Sequence, residues 1–305
     1  MATATTFVDA TEYLAPLPRR RVRRPVRLRL TDDSYPLEPT PEEAWLPVAF
    51  RAFAALRRRM EVTDLLIVGT GNGLDALGAV EILDLRTLAV TDLHEAAVEV
   101  ARENVLAHLE DPGVLRPAFH AGDLLDCVPP GERFSLVYEN LPNLPADPAA
   151  DLRRGTLGGR FFDAGDDDVP APFGAYRLAL HHRCLRDARP RLHDGGGVLT
   201  AIGGRMPHAV AFDVKLQVEP DLVVPPYRDA EAEHGLPLTY YAPEAIAVVA
   251  AARDAGLDGQ ALADAVAPDL GALAMSAREA AGRVARGRAV AHSVLMIFGE
   301  RAGSA

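Results

Sequence analysis

The stretch that decides the fold is Leu65-Leu66-Ile67-Val68-Gly69-Thr70-Gly71-Asn72-Gly73. Its four apolar residues are typical of a buried parallel strand, which is covered on both faces. The three alternate glycines indicate a tight turn at the carboxyl end of that strand, where positive φ angles and a closely approaching ligand exclude a Cβ atom. A helix is predicted from Leu74. Strand, glycine turn and helix form the first unit of a nucleotide-type α/β fold, which binds its ligand outside the carboxyl ends of the strands.

Length, charge and cysteine content limit the classes of protein to consider. The 305 residues suffice for one large α/β domain with additions, and the net charge of −11 argues against nucleic acid as the main partner. No apolar run reaches the length of a membrane span, and the first ten residues lack the apolar core of a signal peptide. Cys127 and Cys184 are too few for a disulfide framework and lack metal-ligand spacing. We therefore expect a cytoplasmic protein with no membrane partner and no metal.

The N-terminal part is rich in arginine. Seven arginines fall within residues 19–29, and Val26, Leu28 and Leu30 alternate with two of them, which predicts a strand with one basic face. This face is interpreted either as a patch for an anionic substrate or RNA, or as an edge strand whose charges prevent aggregation.

The predicted division of the chain is an N-terminal extension with a lid helix at residues 1–60 and a main domain at residues 61–305. The lid helix is predicted from about Glu42 to Met60, capped by Thr40. Tyr35, which precedes it, is a candidate substrate contact. A helical insertion is predicted at about residues 243–290, before a last strand at Ser293–Gly299.

Two aspartates follow predicted strands of the main domain. The second strand, Thr87–Thr91, ends at Asp92, nineteen residues after Gly73, where a carboxylate can accept both hydroxyls of a ribose. The alternative is an N-cap for the helix predicted at His94–His108. Asp123 follows the third strand and suits a hydrogen bond to an adenine amino group, or forms a plain turn.

The fourth strand, Phe134–Tyr138, runs into the polar segment Glu139-Asn140-Leu141-Pro142-Asn143. Proline removes backbone donors and leaves carbonyl groups free to accept, and Asn140 adds a side-chain acceptor, so the segment can hold an N–H group of a substrate. Glu139 can hold a substrate amine or act as a general base, or it is an ordinary loop glutamate.

The following segment, residues 146–172, is turn-rich and is predicted to be a lid or partly disordered, with Asp166–Asp168 as a solvated acidic turn rather than a cation site. His181 and His182 lie on a helix predicted at Tyr176–Leu192 and are interpreted as structural. Asp194–Gly197 is predicted to turn into a fifth strand at Val198–Ile202.

In their order and spacing, these motifs resemble those of the class I S-adenosylmethionine-dependent methyltransferases. The resemblance implies a Rossmann-like sheet, mostly parallel with an antiparallel last strand, and S-adenosylmethionine as the cofactor. The residues it assigns to the cofactor are Gly69, Thr70, Gly71, Asn72 and Gly73 at the methionine part, Asp92 and Leu93 at the ribose, Asp123 and Leu124 at the adenine, and Asn140.

The segment after the fourth strand is similar to the Asn-Pro-Pro-aromatic motif of N-methyltransferases, which include the release-factor glutamine methyltransferases. By that likeness, Asn140 and the carbonyl of Leu141 accept hydrogen bonds from the target nitrogen and orient it. The family has an acidic residue where this chain has Ile67, a proline where it has Leu141 and an aromatic residue where it has Asn143. Without the aromatic stacking surface, a small-molecule acceptor is favoured over glutamine or a nucleobase.

The sequence therefore predicts an enzyme that methylates a small polar acceptor, at nitrogen, in a biosynthetic pathway. The predicted catalytic residues are Asn140 and Glu139, and the predicted substrate contacts are Tyr35, Glu139, Asn140, Leu141 and Asn143. The alternatives are methylation at oxygen or carbon, glutamine methylation of a protein, an NAD(P)-dependent oxidoreductase, since Gly71–Ala76 fits G-x-G-x-x-A, and a catalytically silent cofactor-binding subunit. The sequence leaves open whether the protein is a monomer or a homodimer.

Overall fold

The computed structural model describes residues 5–31, 34, 37, 41, 44–141, 179–203, 222–223, 239–240, 286 and 293–301. Within these ranges the elements are, in chain order, β1 (Thr5–Asp9), α1 (Thr11–Leu14), β2 (Arg27–Thr31), α2 (Leu46–Arg59), β3 (Asp64–Val68), α3 (Leu74–Ile82), β4 (Thr87–Asp92), α4 (Glu95–His108), β5 (Arg116–Ala121), β6 (Phe134–Glu139), α5 (Ala179–Ala188), β7 (Leu192–Gly203), β8 (Leu222–Val223), β9 (Thr239–Tyr240) and β10 (Ser293–Arg301).

The central sheet is mostly parallel. Its strand order is β5-β4-β3-β6-β7-β10-β8, with β9 also paired to β10. The pairs from β5 to β7 are parallel, whereas β10 runs antiparallel to β7. The predicted Rossmann-like α/β sheet with an antiparallel last strand is therefore confirmed.

The chain reverses its direction of travel across the sheet at β3. From β3 it moves outward through β4 to β5, and then returns to pair β6 with the other side of β3. Val68 and Glu139 are partners in the β3–β6 ladder, so the glycine turn and the segment after the fourth strand begin side by side. In open α/β sheets such a reversal point opens the crevice that binds the ligand.

Helix α2 belongs to the hydrophobic core. Its Phe53 packs edge-on against Tyr138 of β6 with ring centroids 5.0 Å apart, and the ring of Phe50 occupies the space above Gly78 of α3. The helix begins at Leu46, later than the predicted Glu42, because Pro47 in its first turn fixes a helical φ and needs no donor partner. Thr40 and Glu42 lie outside the described residues, and the domain boundary at residue 60 stays a prediction.

The opposite face of the sheet is covered by α5, whose Cys184, Leu185 and Ala188 pack on a second apolar cluster. This helix ends before the predicted Leu192, since a short 3₁₀ turn at Arg189–Arg191 follows it. The predicted turn at Asp194–Gly197 is wrong: these residues lie inside β7. Residues 193–196 form a bulge opposite β6, because Phe134 pairs with Leu192 and Leu136 with Gly197, and the surplus residues must loop out of the ladder.

The arginine-rich segment is joined to the main domain by paired charges and backbone bonds. The predicted alternation holds, since Val26, Leu28 and Leu30 are buried. Arg20 pairs with Asp84 at 2.7 Å and Arg29 with Glu103 at 3.0 Å.

Among the described residues, no helix is both long and apolar enough to span a membrane.

Candidate active site

The glycine turn has the conformation that the sequence predicts. Gly69, Gly71 and Gly73 have φ angles of +76°, +57° and +82°, which side chains strongly disfavour. The backbone N–H groups of Gly69 and Thr70 donate to the carbonyl of Thr91 at 2.9 and 3.1 Å, which ties the turn to β4. Close packing adds a second constraint, because a Cβ atom on Gly73 would lie 3.2 Å from the backbone of α4.

Asp92 lies at the tip of β4 and faces the glycine turn. Its Oδ2 accepts a hydrogen bond from the N–H of Gly71 at 3.1 Å, and its Oδ1 accepts one from the N–H of His94 at 3.3 Å. Burial raises the pKa of the Asp92 carboxyl above its usual value, against the opposing effect of these two donors. The structure thus places Asp92, the residue predicted to bind the ribose, beside the turn predicted to bind the methionine part. The same carboxylate also accepts a hydrogen bond from His94, the residue before α4.

Leu93 and Asp123 extend this edge of the crevice. Leu93 is 47% exposed, and with Phe7 and Val114 it is one of three exposed large apolar side chains among the described residues. The carbonyl of Asp92 accepts from the N–H of Gly122 at 2.9 Å, which brings Asp123 to the neighbouring strand end. Leu124 has a positive φ of +48°, a conformation that non-glycine residues rarely adopt and that concentrates at functional sites. The residues predicted to bind the ribose and the adenine thus lie at the ends of two neighbouring strands.

The carboxylate of Asp123 already has a partner. Arg183 of α5 donates to its Oδ2, and both side chains are partly exposed. An adenine amino group would therefore share this carboxylate with Arg183.

Asp75 is a buried carboxyl group that the sequence analysis missed. It lies in the first turn of α3, where Thr70 Oγ1 donates to its Oδ1 at 3.1 Å and the N–H of Ala76 donates to the same oxygen at 2.7 Å. Burial raises its pKa from 3.8 to about 7, and the nearby Asp92 contributes in the same direction. The sequence signal that could have identified it is the position of this aspartate in a helix whose other residues are nearly all apolar, which indicates a buried helix.

The segment after β6 meets both the glycine turn and α5. A Cβ atom on Gly69 would lie 3.0 Å from Cδ2 of Leu141, so these two loops are in contact. The carboxylate of Glu139 is fully buried and accepts from His181 Nδ1, at 2.8 Å to Oε2 and 3.1 Å to Oε1. The N–H of Leu141 lies 3.4 Å from Oε2. His181 was interpreted as structural from the sequence, because nothing local links it to a residue 42 positions earlier.

Asn140 lies between Glu139 and Leu141 and is half-buried. Tyr35 and Asn143, the other predicted substrate contacts, lie outside the described residues, as do the loop at residues 146–172 and the helical insertion at residues 243–290. In the described part of the chain, no group of three or more His, Cys, Asp or Glu side chains could hold a metal ion.

A surface cavity of about 310 Å³ lies at the opposite edge of the sheet. It is formed by the end of α2 and the residues after α3, including Arg57, Arg59 and Asp84. Arg57 pairs with Asp84 at 2.9 Å, and Arg59 with Glu300 at 2.8 Å. Since the carboxyl ends of the parallel strands point away from it, this cavity is not the crevice described above.

Comparison with known proteins supports the resemblance seen in the motifs. The chain is 30% identical over 206 residues to the release factor glutamine methyltransferase of Deinococcus radiodurans. That alignment covers 64% of this chain and 66% of the relative, just under two thirds of the relative's length. No model of a protein family matches the chain.

Solved methyltransferase structures are similar only at a low level. A methyltransferase from Pyrococcus furiosus has 15% identity and a TM-score of 0.38, covering 58% of this chain and 74% of that one. The N-methyltransferase NodS of Bradyrhizobium japonicum, in complex with S-adenosyl-L-homocysteine, has 13% identity and a TM-score of 0.37, covering 61% and 79%. At TM-scores below 0.5, these likenesses add nothing to the fold described above.

Proposed function

We propose that this chain, a relative of the class I S-adenosylmethionine-dependent methyltransferases, binds S-adenosylmethionine at the glycine turn and methylates a nitrogen atom of a small polar acceptor. The observation that carries the proposal is the position of Asp92 against the turn, where its Oδ2 lies 3.1 Å from the backbone nitrogen of Gly71. A carboxylate that can accept hydrogen bonds from hydroxyl groups therefore lies beside the glycine backbone, where no side chain blocks the approach of a ligand. The match to a curated methyltransferase supports the same activity.

The residues around the crevice fit the parts of this cofactor. The glycines of the turn, at alternate positions from Gly69 to Gly73, leave room for the methionine part because they have no Cβ atoms. Asp92 accepts hydrogen bonds from the ribose hydroxyls, and the exposed Leu93 packs against the adenine ring. Asp123 and Leu124 lie beside the same ring. The acidic residue that the family carries at the position of Ile67 is absent, and the buried carboxyl group of Asp75 bonds Thr70 of the turn.

The bound cofactor supplies a methyl group on a sulfonium centre, which is an electrophile without any metal. The protein's contribution is then mainly orientation. Asn140 Oδ1 and the carbonyl of Leu141 accept hydrogen bonds from the acceptor nitrogen, so that its lone pair points towards the methyl group. The contact between Leu141 and Gly69 supports this assignment, because it holds the acceptor side and the cofactor side of the crevice together.

A glutamine side chain of a protein is the second candidate acceptor. It is favoured by one observation, the match to a release factor glutamine methyltransferase. It is disfavoured by Asn143, which stands where an aromatic residue would stack on a planar amide. We place the small acceptor first, in a cytoplasmic biosynthetic pathway.

The proposal is tested by methyl transfer from radiolabelled S-adenosylmethionine to two sets of probes, small primary and secondary amines and glutamine-containing peptides. We expect transfer to an amine, and a loss of about 10²-fold or more in the Asn140→Ala variant because the nitrogen is no longer oriented. S-adenosylhomocysteine should still bind this variant, because the glycine turn and Asp92 are unchanged. Transfer to peptides alone would replace the small acceptor by glutamine, and an Asn140→Ala variant with full activity would contradict the role of Asn140.

A further inference from the structure

The proposed function leaves one buried polar pair unused, His181 and Glu139. Both side chains are fully buried, and the two oxygens of Glu139 lie 2.8 and 3.1 Å from Nδ1 of His181. Helix α5 leads through a short turn into β7, which is parallel to β6, so α5 runs antiparallel to these strands. Its first turn, which carries His181, therefore lies at the carboxyl edge of the sheet, where the crevice opens.

The pairing indicates which ring nitrogen of His181 carries the proton. An ionised carboxylate only accepts hydrogen bonds, so the tautomer that fits an ionised Glu139 carries its hydrogen on Nδ1 and keeps the lone pair on Nε2. No described residue bonds to Nε2, although it is buried. Leaving a buried polar atom without a partner costs about 1–3 kcal/mol, so an unpartnered nitrogen in this position calls for a ligand.

We propose that His181 is the general base of the methyl transfer and that Glu139 is the residue that positions its ring. This inference rests on the proposed function and assigns the proton of the acceptor to Nε2 of His181. A carboxylate on Nδ1 with a free Nε2 is the arrangement by which a buried acidic side chain orients a catalytic histidine and stabilises the imidazolium that forms.

The base has a definite task for an amine acceptor. Amines are protonated near neutral pH and then have no lone pair to attack with. Nε2 takes one proton from the ammonium group, and the freed lone pair forms the N–C bond to the methyl carbon. The C–S bond breaks with its electron pair going to sulfur, which leaves a methylated ammonium product, a neutral thioether and an imidazolium paired with Glu139.

Glu139 is the charged group that faces the ring from β6. On α5 itself, the neighbouring Arg183 is directed to Asp123 of the β5 end, away from this pair. Glu139 is thus held by His181 and by the N–H of Leu141, and it acts on the acceptor only through the ring. This differs from the sequence interpretations of Glu139, which were a direct contact with a substrate amine, a general base, or an ordinary loop glutamate.

The position of the proton can be measured without any acceptor. Nitrogen-15 NMR of the full-length protein with labelled histidine, assigned through the His181→Asn variant, should show His181 protonated at Nδ1 and bare at Nε2 at pH 8. A His181 ring that carries its proton at Nε2 would overturn the proposal, since that nitrogen could not accept another.

Kinetics separate the base from a structural role. His181→Asn keeps a side-chain N–H for Glu139 but removes Nε2, and we expect kcat/KM to fall about 10²- to 10⁴-fold with loss of the acid limb of the pH–rate profile. Binding of S-adenosylhomocysteine and the unfolding midpoint should change little, and His182→Gln, on the next position of α5, should keep the wild-type profile. If His181→Asn retains the wild-type rate and pH profile, His181 is not the base, whereas a wild type that never binds S-adenosylhomocysteine would refute the proposed function instead.

Discussion

Asp75 couples the glycine turn to the pH of the solution. Its Oδ1 accepts from both Thr70 Oγ1 and the N–H of Ala76, while burial raises its pKa to about 7. The folded state therefore prefers the protonated carboxyl, whereas the unfolded chain ionises near the ordinary value of 3.8. Stability from this group is fully present below about pH 4 and is lost as the pH rises through 7, because the folded state must then bury a charge.

The Asp75→Asn variant removes that pH dependence. Asparagine keeps an Oδ1 acceptor for both donors and never ionises, so the unfolding free energy of the variant relative to wild type should increase by roughly 2–4 kcal/mol between pH 4 and pH 8. Urea denaturation at both pH values measures this difference, in which the titration of all other groups cancels. A difference that stays constant with pH would mean that Asp75 is ionised in the folded protein.

At the scale of single residues, the sequence predicts what depends on local spacing. The conformation of Gly69, Gly71 and Gly73 and the place of Asp92 follow from the motif and from its distance to the next strand end. The pairing of Glu139 with His181 does not, because it joins distant parts of the chain through the packing of α5 on β6. The roles assigned to these residues in binding and catalysis stay predictions.

At the scale of elements, Glu81 at the end of α3 joins the arginine-rich segment to the main domain. Its fully buried carboxylate accepts hydrogen bonds from the backbone N–H groups of Arg20, Arg21 and Val22. The donor of Val22 is buried and the donors of Arg20 and Arg21 are partly buried, so the carboxylate satisfies backbone groups that packing withdraws from water. Asp84, three residues later, pairs with Arg20 and Arg57 at the surface, where about half of its side chain is exposed.

These two acidic residues give a matched pair of variants. Glu81→Ala should lower the unfolding free energy by about 2–4 kcal/mol, since it removes the acceptor of one buried and two partly buried backbone donors. Asp84→Ala should cost at most about 1 kcal/mol, because exposed ion pairs contribute little. Limited trypsin digestion under native conditions should cleave after Arg20 or Arg21 faster in Glu81→Ala only. Equal losses in the two variants would show that the segment is held by its surface charges.

Element boundaries were predictable where the signal is local. The ends of β3, α3 and β4 follow closely from the glycine turn and the apolar runs. The start of α2 and the glycine run in β7 were predicted wrongly, since Pro47 outweighs an earlier capping pattern and the bulge at residues 193–196 depends on pairing with β6. A glycine run indicates unusual backbone, and the neighbouring strand decides whether it forms a turn or a bulge.

For the whole molecule, the strand order creates the crevice. The reversal between β4 and β6 around β3 places the glycine turn beside Glu139–Leu141 and leaves the ends of β4 and β5 open on one side. Sequence motifs in the order strand, turn and helix predicted a mostly parallel α/β sheet, whereas the order of its strands follows only from the pairing in the structure. The proposal that the crevice binds a nucleoside rests on the acidic residues at these strand ends.

The central claim is that this crevice holds S-adenosylmethionine, and calorimetric titration with S-adenosylhomocysteine tests it most directly. NAD and NADP serve as competing ligands, and Asp92→Asn serves as the site variant. We predict binding of S-adenosylhomocysteine alone at about micromolar affinity, about −8 kcal/mol, with a loss of tenfold or more in Asp92→Asn because the amide replaces a charged acceptor. Binding of NAD or NADP without S-adenosylhomocysteine would contradict the account and assign the glycine turn to a dehydrogenase.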